Sequence, residues 1–365
     1  MHILTMPKDG PTLRAGEWVM EDGNAATYML TNQEMRPTMR PLPYFPRNAD
    51  DKRCLIVGTL GYGDAIMFTP ILRQAKKVNP DWELHIACMA EQRQVFLGLP
   101  YVDGFVDYPV PLAELSKYGN VIFLEGSVEF NPLAKTEHMT DRFAETCGWR
   151  GDSWVCDKKP DLILSGDERV WALKSFPPNE GKRRLGLQVQ AGARNRTYPI
   201  SKFMEAQGDK MLKAGWEICL LGVPGEFRAE RLAKGIYDMS RMGLTWRQTV
   251  AFMTTCDCIL APDSSLMHAA GALDIPCVAL FGPFDYKLRT AYYTSVFSLH
   301  GEGVCPMAPC FHSHHSGLPV FPAGGPCNQS GVCEELASIT PERVRGKIEQ
   351  VARNPLEGLP PALPA

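Results

Sequence analysis

The chain is poor in long apolar runs. No stretch of its 365 residues approaches the roughly 20 consecutive apolar positions of a membrane-spanning helix, so no transmembrane segment is expected. Its opening, MHILTMPKDGPTLRAGEW, has no basic segment followed by an apolar core, so no secretory leader is expected and the protein is expected to stay in the cytoplasm. Excess charge is missing as well. With 38 Lys and Arg against 41 Asp and Glu the formal net charge is −3, which argues against broad electrostatic capture of nucleic acid or of an anionic membrane surface. The dinucleotide fingerprint is absent too: Gly58, Gly61 and Gly63 do not give G-x-G-x-x-G, and ELHIACM ends at Met89 with no acidic residue closing that strand. No internal sequence repeat is seen.

What is present fits a soluble globular enzyme. The chain is 45% hydrophobic and 22% charged, and its length suffices for two cored domains. Residues 1–50 carry prolines, methionines and charges without sustained periodicity and end in the linker-like PLPYFPRNADDKR; they read as an extension. From Arg53 short β-rich runs alternate with helical patterns: RCLIVG, a helix over 64–78, ELHIACM, a helix over 91–97, VIFLEG and DLILS. This predicts an α/β domain with a parallel sheet over 51–175. KSFPPNEGKRR at 174–184 reads as a hinge. RLGLQVQ, a helix over 201–214, WEICLLG, helices over 226–235 and 245–254, CDCILAP with its following helix, and CVALFG predict a second Rossmann-like domain over 182–335. ITPERVRGKIEQVARN, with Thr340 as cap and Pro341 at the first helical position, closes the fold within 336–365. The expected architecture is two Rossmann-like domains facing each other across a cleft.

The most informative stretch is CDCILAPDSSLMHAAGAL, residues 256–273, where an apolar run breaks at Asp263, Ser264 and Ser265 and a small-residue helix follows at once. A helix N-terminus attracts phosphate oxygens, so a diphosphate ligand is the first expectation, with His268 one turn in. The plainer alternative is an ordinary capped helix with a satisfied histidine. Gln188 to Ala193 forms a glycine loop around Gly192, and Arg194 and Arg196 follow; forked guanidinium donors suit a diphosphate, and a solvated basic loop is the alternative. Glu226, after LLGVPG, can bond ribose hydroxyls or merely favour a helix N-terminus. In the first domain Gly61 and Gly63 allow close approach to a ligand or facing backbone. Asp64 beside them is either a general base or a plain helix-cap carboxylate.

These motifs, GYGDAIMFTPILR, AGARNRTYP, LGVPGE and PDSSLMHAAGALDIPCVALFGP, resemble in type and order those of glycosyltransferase family 9, the ADP-heptose heptosyltransferases of the GT-B fold. The resemblance covers about Arg53 to Val351. It implies inverting transfer of a sugar from a nucleotide-diphosphate donor, ADP-linked heptose, to an acceptor hydroxyl on lipopolysaccharide core or a related glycan. Asp64 matches the family's general base, Arg196 its basic residue before the aromatic-Pro pair, and Glu226 its ribose-binding glutamate. Asp263, Ser264 and His268 match the D-[ST]-G-x-x-H donor site, and Leu244 falls near the position that packs on the base. Glu137 to Phe143, with His138, resembles a stretch of the acceptor domain. Three departures stand out: Ser265 replaces a glycine, Phe284 stands where Thr is common, and Arg196 replaces Lys. No catalytic cofactor is expected. A nucleotide-sugar epimerase or hydrolase, and a non-catalytic subunit keeping the fold, are the competing readings.

Of 12 cysteines, eight are scattered and read as reduced core thiols. Cys305, Cys310, Cys327 and Cys333 instead crowd into a Pro-, Gly- and His-rich stretch with too few apolar residues for its own core, where four thiolates can close a structural Zn or Fe site. His312, His314 and His315 are spare ligands, and reduced thiols are the alternative. The resemblance extends here: heptosyltransferases acting on autotransporter adhesins carry a structural iron on four cysteines, which also makes a protein hydroxyl an acceptor to weigh. The expected partners are therefore a nucleotide-diphosphate sugar and a glycan or protein acceptor, with a homo-oligomer as the form of assembly.

Overall fold

The computed structural model of the protein describes residues 2–5, 18–21, 38–41, 50–58, 60–124, 135–149, 157–188, 190–224, 226, 232–311 and 332–353. The chain divides into two compact units, 1–158 and 159–365.

In the first unit, three short strands of the N-terminal extension, β1 (His2–Thr5), β2 (Trp18–Glu21) and β3 (Thr38–Pro41), form an antiparallel sheet in the order β2-β1-β3. Four-residue strands separated by long connections have no periodicity to read, which is why the sequence suggested only an extension. A parallel sheet in the order β6-β5-β4-β7 follows, built from β4 (Arg53–Val57), β5 (Glu83–Cys88), β6 (Gly104–Asp107) and β7 (Asn120–Phe123). Helices α1 (Tyr62–Val78), α2 (Arg93–Phe96), α3 (Leu112–Leu115) and α4 (Met139–Thr146) accompany it. Leu55, Val57, Ala87, Val110 and Leu115 form one core cluster of this unit.

The second unit begins with α5 (Gly166–Ser175) and carries a six-stranded parallel sheet in the order β10-β9-β8-β11-β12-β13. Its strands are β8 (Arg183–Gln188), β9 (Trp216–Leu221), β10 (Ile236–Asp238), β11 (Cys258–Pro262), β12 (Cys277–Phe281) and β13 (Val296–His300). Between and after them run α6 (Ile200–Lys213), α7 (Trp246–Met253), α8 (Ser265–Ala272), α9 (Lys287–Thr290), α10 (Glu334–Ala337) and α11 (Pro341–Arg353). Strands β9, β11 and β12 are buried along their whole length, as expected where helices cover both faces of a parallel sheet. Leu185, Ile218, Leu260 and Val278 from the sheet pack in one core with Val344, Ile348 and Val351 of α11, all three fully buried.

Two sequence expectations change. DLILS at 161–165 forms no strand; it leads into α5, where Ser165 and Glu168 make a reciprocal capping box. The division between units also falls earlier than the 174–184 hinge. Glu168 of α5 pairs with Arg247 of α7, Phe176 packs edge-on against Phe252, and the buried Arg184 holds the carbonyls of Phe176 and Pro177 at 2.9 and 3.0 Å. These contacts fix α5 to the second unit. Of the helix expected at 226–235, residues 227–231 lie outside those described, and residues 226 and 232–235 are not helical. Among the described residues no helix is long and apolar enough to cross a membrane.

Candidate functional site

In the second sheet the strand order reverses between β8 and β11, which pair directly, so the loops leaving their C-terminal ends open a crevice at the topological switch point. The β8 loop carries Gly192, Arg194 and Arg196; the β11 loop carries Asp263 and Ser264 and leads into α8. Gly192 and Arg194 are exposed, and Arg194 to Arg196 form one tight turn. The turn is anchored by the buried Tyr198, whose hydroxyl donates to the Ile339 carbonyl at 2.8 Å.

Ser264 occupies the N-cap of α8 in an extended conformation but makes no cap bond. Its hydroxyl donates instead to Oε1 of Gln188 at 2.5 Å, and Gln188 Nε2 donates to the Gln190 carbonyl at 2.8 Å. The first N–H groups of α8 are thereby left without a side-chain cap, in the state that receives a phosphate oxygen best. Ser265 is held by Trp246, whose Nε1 donates to its hydroxyl at 3.4 Å.

Asp263 is buried, 4% exposed, and is flanked by two groups. Nη1 of Arg196 lies 3.2 Å from its backbone carbonyl and 3.6 Å from Oδ2, and Nε2 of His268 lies 3.7 Å from Oδ1. Burial pushes the Asp263 carboxyl up, but the His268 ring nitrogen facing it and the charges of Arg196 and Arg289 outweigh it and hold the group well below the usual carboxylate range. His268 is itself 3% exposed, and its Nδ1 lies 2.9 Å from the hydroxyl of Tyr293. Burial and the nearby Asp263 push the Tyr293 phenol far up, so it keeps its proton and can donate it to Nδ1; Nε2 then carries the hydrogen facing Asp263. His268 is thus turned onto Asp263 as a satisfied, positioning histidine. Gly271 makes room for this, because a Cβ there would come within 2.4 Å of the Tyr293 ring.

Glu226 follows the adjacent strand β9. Its carboxylate lies against Gly222, where a Cβ would stand 2.0 Å from Oε2 and where φ is +155°, so the position favours glycine on both counts. Burial pushes the Glu226 carboxyl up. Leu244 is half-buried between Gly243, left-handed at φ 64°, and Thr245, the N-cap of α7.

In the first unit Asp64 is the third residue of α1, and its Oδ2 accepts the Gly61 N–H at 3.2 Å. That is the helix-cap geometry of the plainer alternative, and it places the carboxylate at the positive end of the helix dipole. Gly63 lies in the same first turn. His138 caps α4, with Nδ1 accepting the Thr140 N–H at 3.2 Å, and Thr140 in turn donates to the Met67 carbonyl of α1 at 2.9 Å. His138 is 5% exposed, so its visible role is to seat α4 beside α1.

Residues 136–316 match the family described as Glycosyltransferase family 9 (heptosyltransferase). Over those residues, just under half of its length, the chain is similar to glycosyltransferase family 9. A curated relative, lipopolysaccharide heptosyltransferase 1 of Pseudomonas aeruginosa, is 34% identical over 108 residues, spanning 28% of this chain and 29% of the relative. Among solved structures, ADP-heptose lps heptosyltransferase II of Escherichia coli superposes with a TM-score of 0.61 at 16% identity, covering 83% of this chain and 99% of that one. A family 9 glycosyltransferase from Veillonella parvula gives 0.62 at 17% identity, covering 85% and 99%. The iron-containing dodecameric glycosyltransferase TibC from enterotoxigenic Escherichia coli gives 0.59 at 14% identity, covering 87% and 79%. The shared fold is GT-B.

Three residues of this cluster escaped the sequence reading. Gln188 entered only as the first residue of the glycine loop, Tyr293 lies 25 residues from the histidine it bonds, and Arg289 sits in a one-turn helix with no motif of its own. For Tyr293 the paired tyrosines of RTAYYTS were the available signal.

The cysteine segment is described only at its ends. Cys327, His312, His314 and His315 lie outside the described residues. Glu335, itself buried, accepts the N–H groups of Gly303 at 2.8 Å and Cys305 at 3.0 Å, and Cys333 is the N-cap of α10 two residues before it, so one carboxylate links the two ends of the segment. Cys305 and Cys310 are half-buried and Cys333 is buried. Among the described residues no three His, Cys, Asp or Glu side chains gather as a metal-holding group, so the three described thiols do not make a site by themselves.

Proposed function

We propose that this protein is a family 9 glycosyltransferase that moves a heptose from an ADP-linked donor to an acceptor hydroxyl, with inversion at the anomeric carbon. The second unit takes the donor and the first the acceptor. The observation that supports this most is the cluster at the switch point: Arg196 against the buried, ionised Asp263, beside an α8 N-terminus whose N-cap serine is turned away to Gln188. Such a pocket suits a diphosphate. In this reading Gly192, Arg194, Ser264 and Ser265 line the diphosphate site, Glu226 bonds the ribose, and Leu244 packs on the base. Asp64 removes the acceptor proton as the new bond to the anomeric carbon forms and the bond to the diphosphate breaks, and Gly61, Gly63 and His138 shape the acceptor side. Arg196 and the helix N-terminus offset the charge on the departing diphosphate, so no catalytic cofactor enters.

The acceptor read first is lipopolysaccharide core or a related glycan, in line with the matched relative from Pseudomonas aeruginosa. A protein hydroxyl is the second reading, favoured by the four-cysteine segment together with the likeness to iron-containing, dodecameric TibC. That likeness also supports a homo-oligomer and a structural iron or zinc on Cys305, Cys310, Cys327 and Cys333, and the reaction is placed in the cytoplasm. Mass spectrometry of products formed from ADP-heptose and a cell extract tests the whole. A heptose added to a glycan supports the first reading and one added to a protein the second. Donor turnover without an acceptor would instead mark an epimerase or hydrolase. Failure of ADP-, UDP- and GDP-sugars to bind would leave a non-catalytic subunit.

A further inference from the structure

Arg196 has a companion that no motif announces. The Arg289 guanidinium lies over the Phe284 ring with its carbon 4.9 Å from the ring centroid, and the Arg196 guanidinium approaches the same ring at 5.7 Å. Phe284 is in turn braced edge-on by Phe311 at 5.8 Å. Two guanidinium groups thus share one aromatic ring next to Asp263, and both lower the pKa of that carboxyl. Each cation–π contact fixes where the planar fork points.

The charge balance is uneven. Arg196 and Arg289 together carry two positive charges against the single carboxylate of Asp263, which already has Arg196 and His268 beside it. Asp285 and Lys287, on the same turn as Arg289, carry opposite charges and leave the balance unchanged. Among the described residues Arg289 forms no ion pair, and its Nη1 donates only to the Leu288 carbonyl at 3.3 Å. A half-buried guanidinium with free donors beside a second one is an arrangement completed by an anion, and a diphosphate has both the charge and the oxygens for two forks.

Resting on the donor reading above, we propose that Arg289 is a second diphosphate-binding residue, with Phe284 as the shared ring that aligns it with Arg196. The reach of the diphosphate site is thereby extended from the β8 and β11 loops to α9 after β12.

The test is titration calorimetry of the purified full-length protein with ADP, UDP and GDP and with the matching nucleosides. For the diphosphate that wild type binds, Arg289→Gln is expected to weaken affinity about 10- to 100-fold while leaving the nucleoside within about twofold. Arg289→Lys should recover part of the loss, and Phe284→Leu should weaken the diphosphate by a smaller factor. Equal diphosphate affinity in Arg289→Gln and wild type would overturn the proposal and leave the donor reading standing. Parallel loss of diphosphate and nucleoside would overturn it too, since that reports a disturbed pocket and not a phosphate contact. Wild type binding none of the three diphosphates would overturn both. Should Arg289→Gln fail to fold, Arg289→Lys and Phe284→Leu decide by the same diphosphate-to-nucleoside comparison.

Discussion

Replacing Asp263 by Asn keeps the shape of a buried side chain and the backbone carbonyl that Arg196 contacts, yet removes the charge that Arg196 and His268 flank. Losing a charged hydrogen-bond partner in a buried setting costs about 1.5–3 kcal/mol, and stranding a fully buried ion costs more. Here the separations are 3.6 and 3.7 Å and the Arg196 side chain is 21% exposed, so water takes up part of the loss. About 2 kcal/mol is expected, which for a unit of this size lowers the melting temperature by roughly 4–8 °C. The pH dependence follows from the direction of the shift. Because the folded-state pKa is lowered, the ionised carboxylate stabilises the fold at any pH above its ordinary value near 4 in the unfolded chain, and the contribution is lost as pH falls from there through the lower folded value. Thermal unfolding followed by circular dichroism, at pH 7 and in steps toward about pH 3, should therefore show the two proteins converging in acid. A variant melting within about 1 °C of wild type at pH 7, or a gap that stays constant into acid, would refute the reasoning.

Asp64→Asn should lower transfer at least about 100-fold, the ordinary contribution of a general base, while donor affinity by calorimetry stays within about twofold; near-normal turnover would remove Asp64 from the mechanism. Gly271→Ala places a Cβ within 2.4 Å of the Tyr293 ring, so it should displace that ring from His268 and destabilise the fold by about 1–3 kcal/mol, read as a lower denaturation midpoint in urea. Cys310→Ser or Cys327→Ser should lower thermal stability and leave donor binding by the folded protein little changed, and elemental analysis of protein purified without chelator should find about one zinc or iron per chain; clear absence of both metals would end the metal reading.

The sequence by itself determined the alternation of strands and helices and the turn after β11 where the helix α8 begins. Buried parallel strands such as WEICLL and CILAP are continuous apolar runs, and a cap residue after such a run marks the turn directly. Asp263, Ser264 and His268 were legible together because one strand-to-helix turn carries all three. Residues that act across the sheet were not. Arg196 was legible in its own loop, but its pairing with Asp263 was not, and Gln188, Arg289 and Tyr293 had no local signal as partners of that turn; the order of the sheet brings them there. The tertiary structure also decided what the residues of that turn do with their hydrogen bonds. Ser264 sits at a cap position yet bonds Gln188, because a hydroxyl takes whichever acceptor the fold presents, and His268 is closed off by Tyr293 and Asp263 where local sequence allowed it to face the ligand. The assignment of α5 to the second unit was likewise settled by long-range pairs, Glu168 with Arg247 and Arg184 with the 176–177 carbonyls. A hinge composition at 174–184 is a local signal, whereas a boundary between units follows from where buried contacts are made.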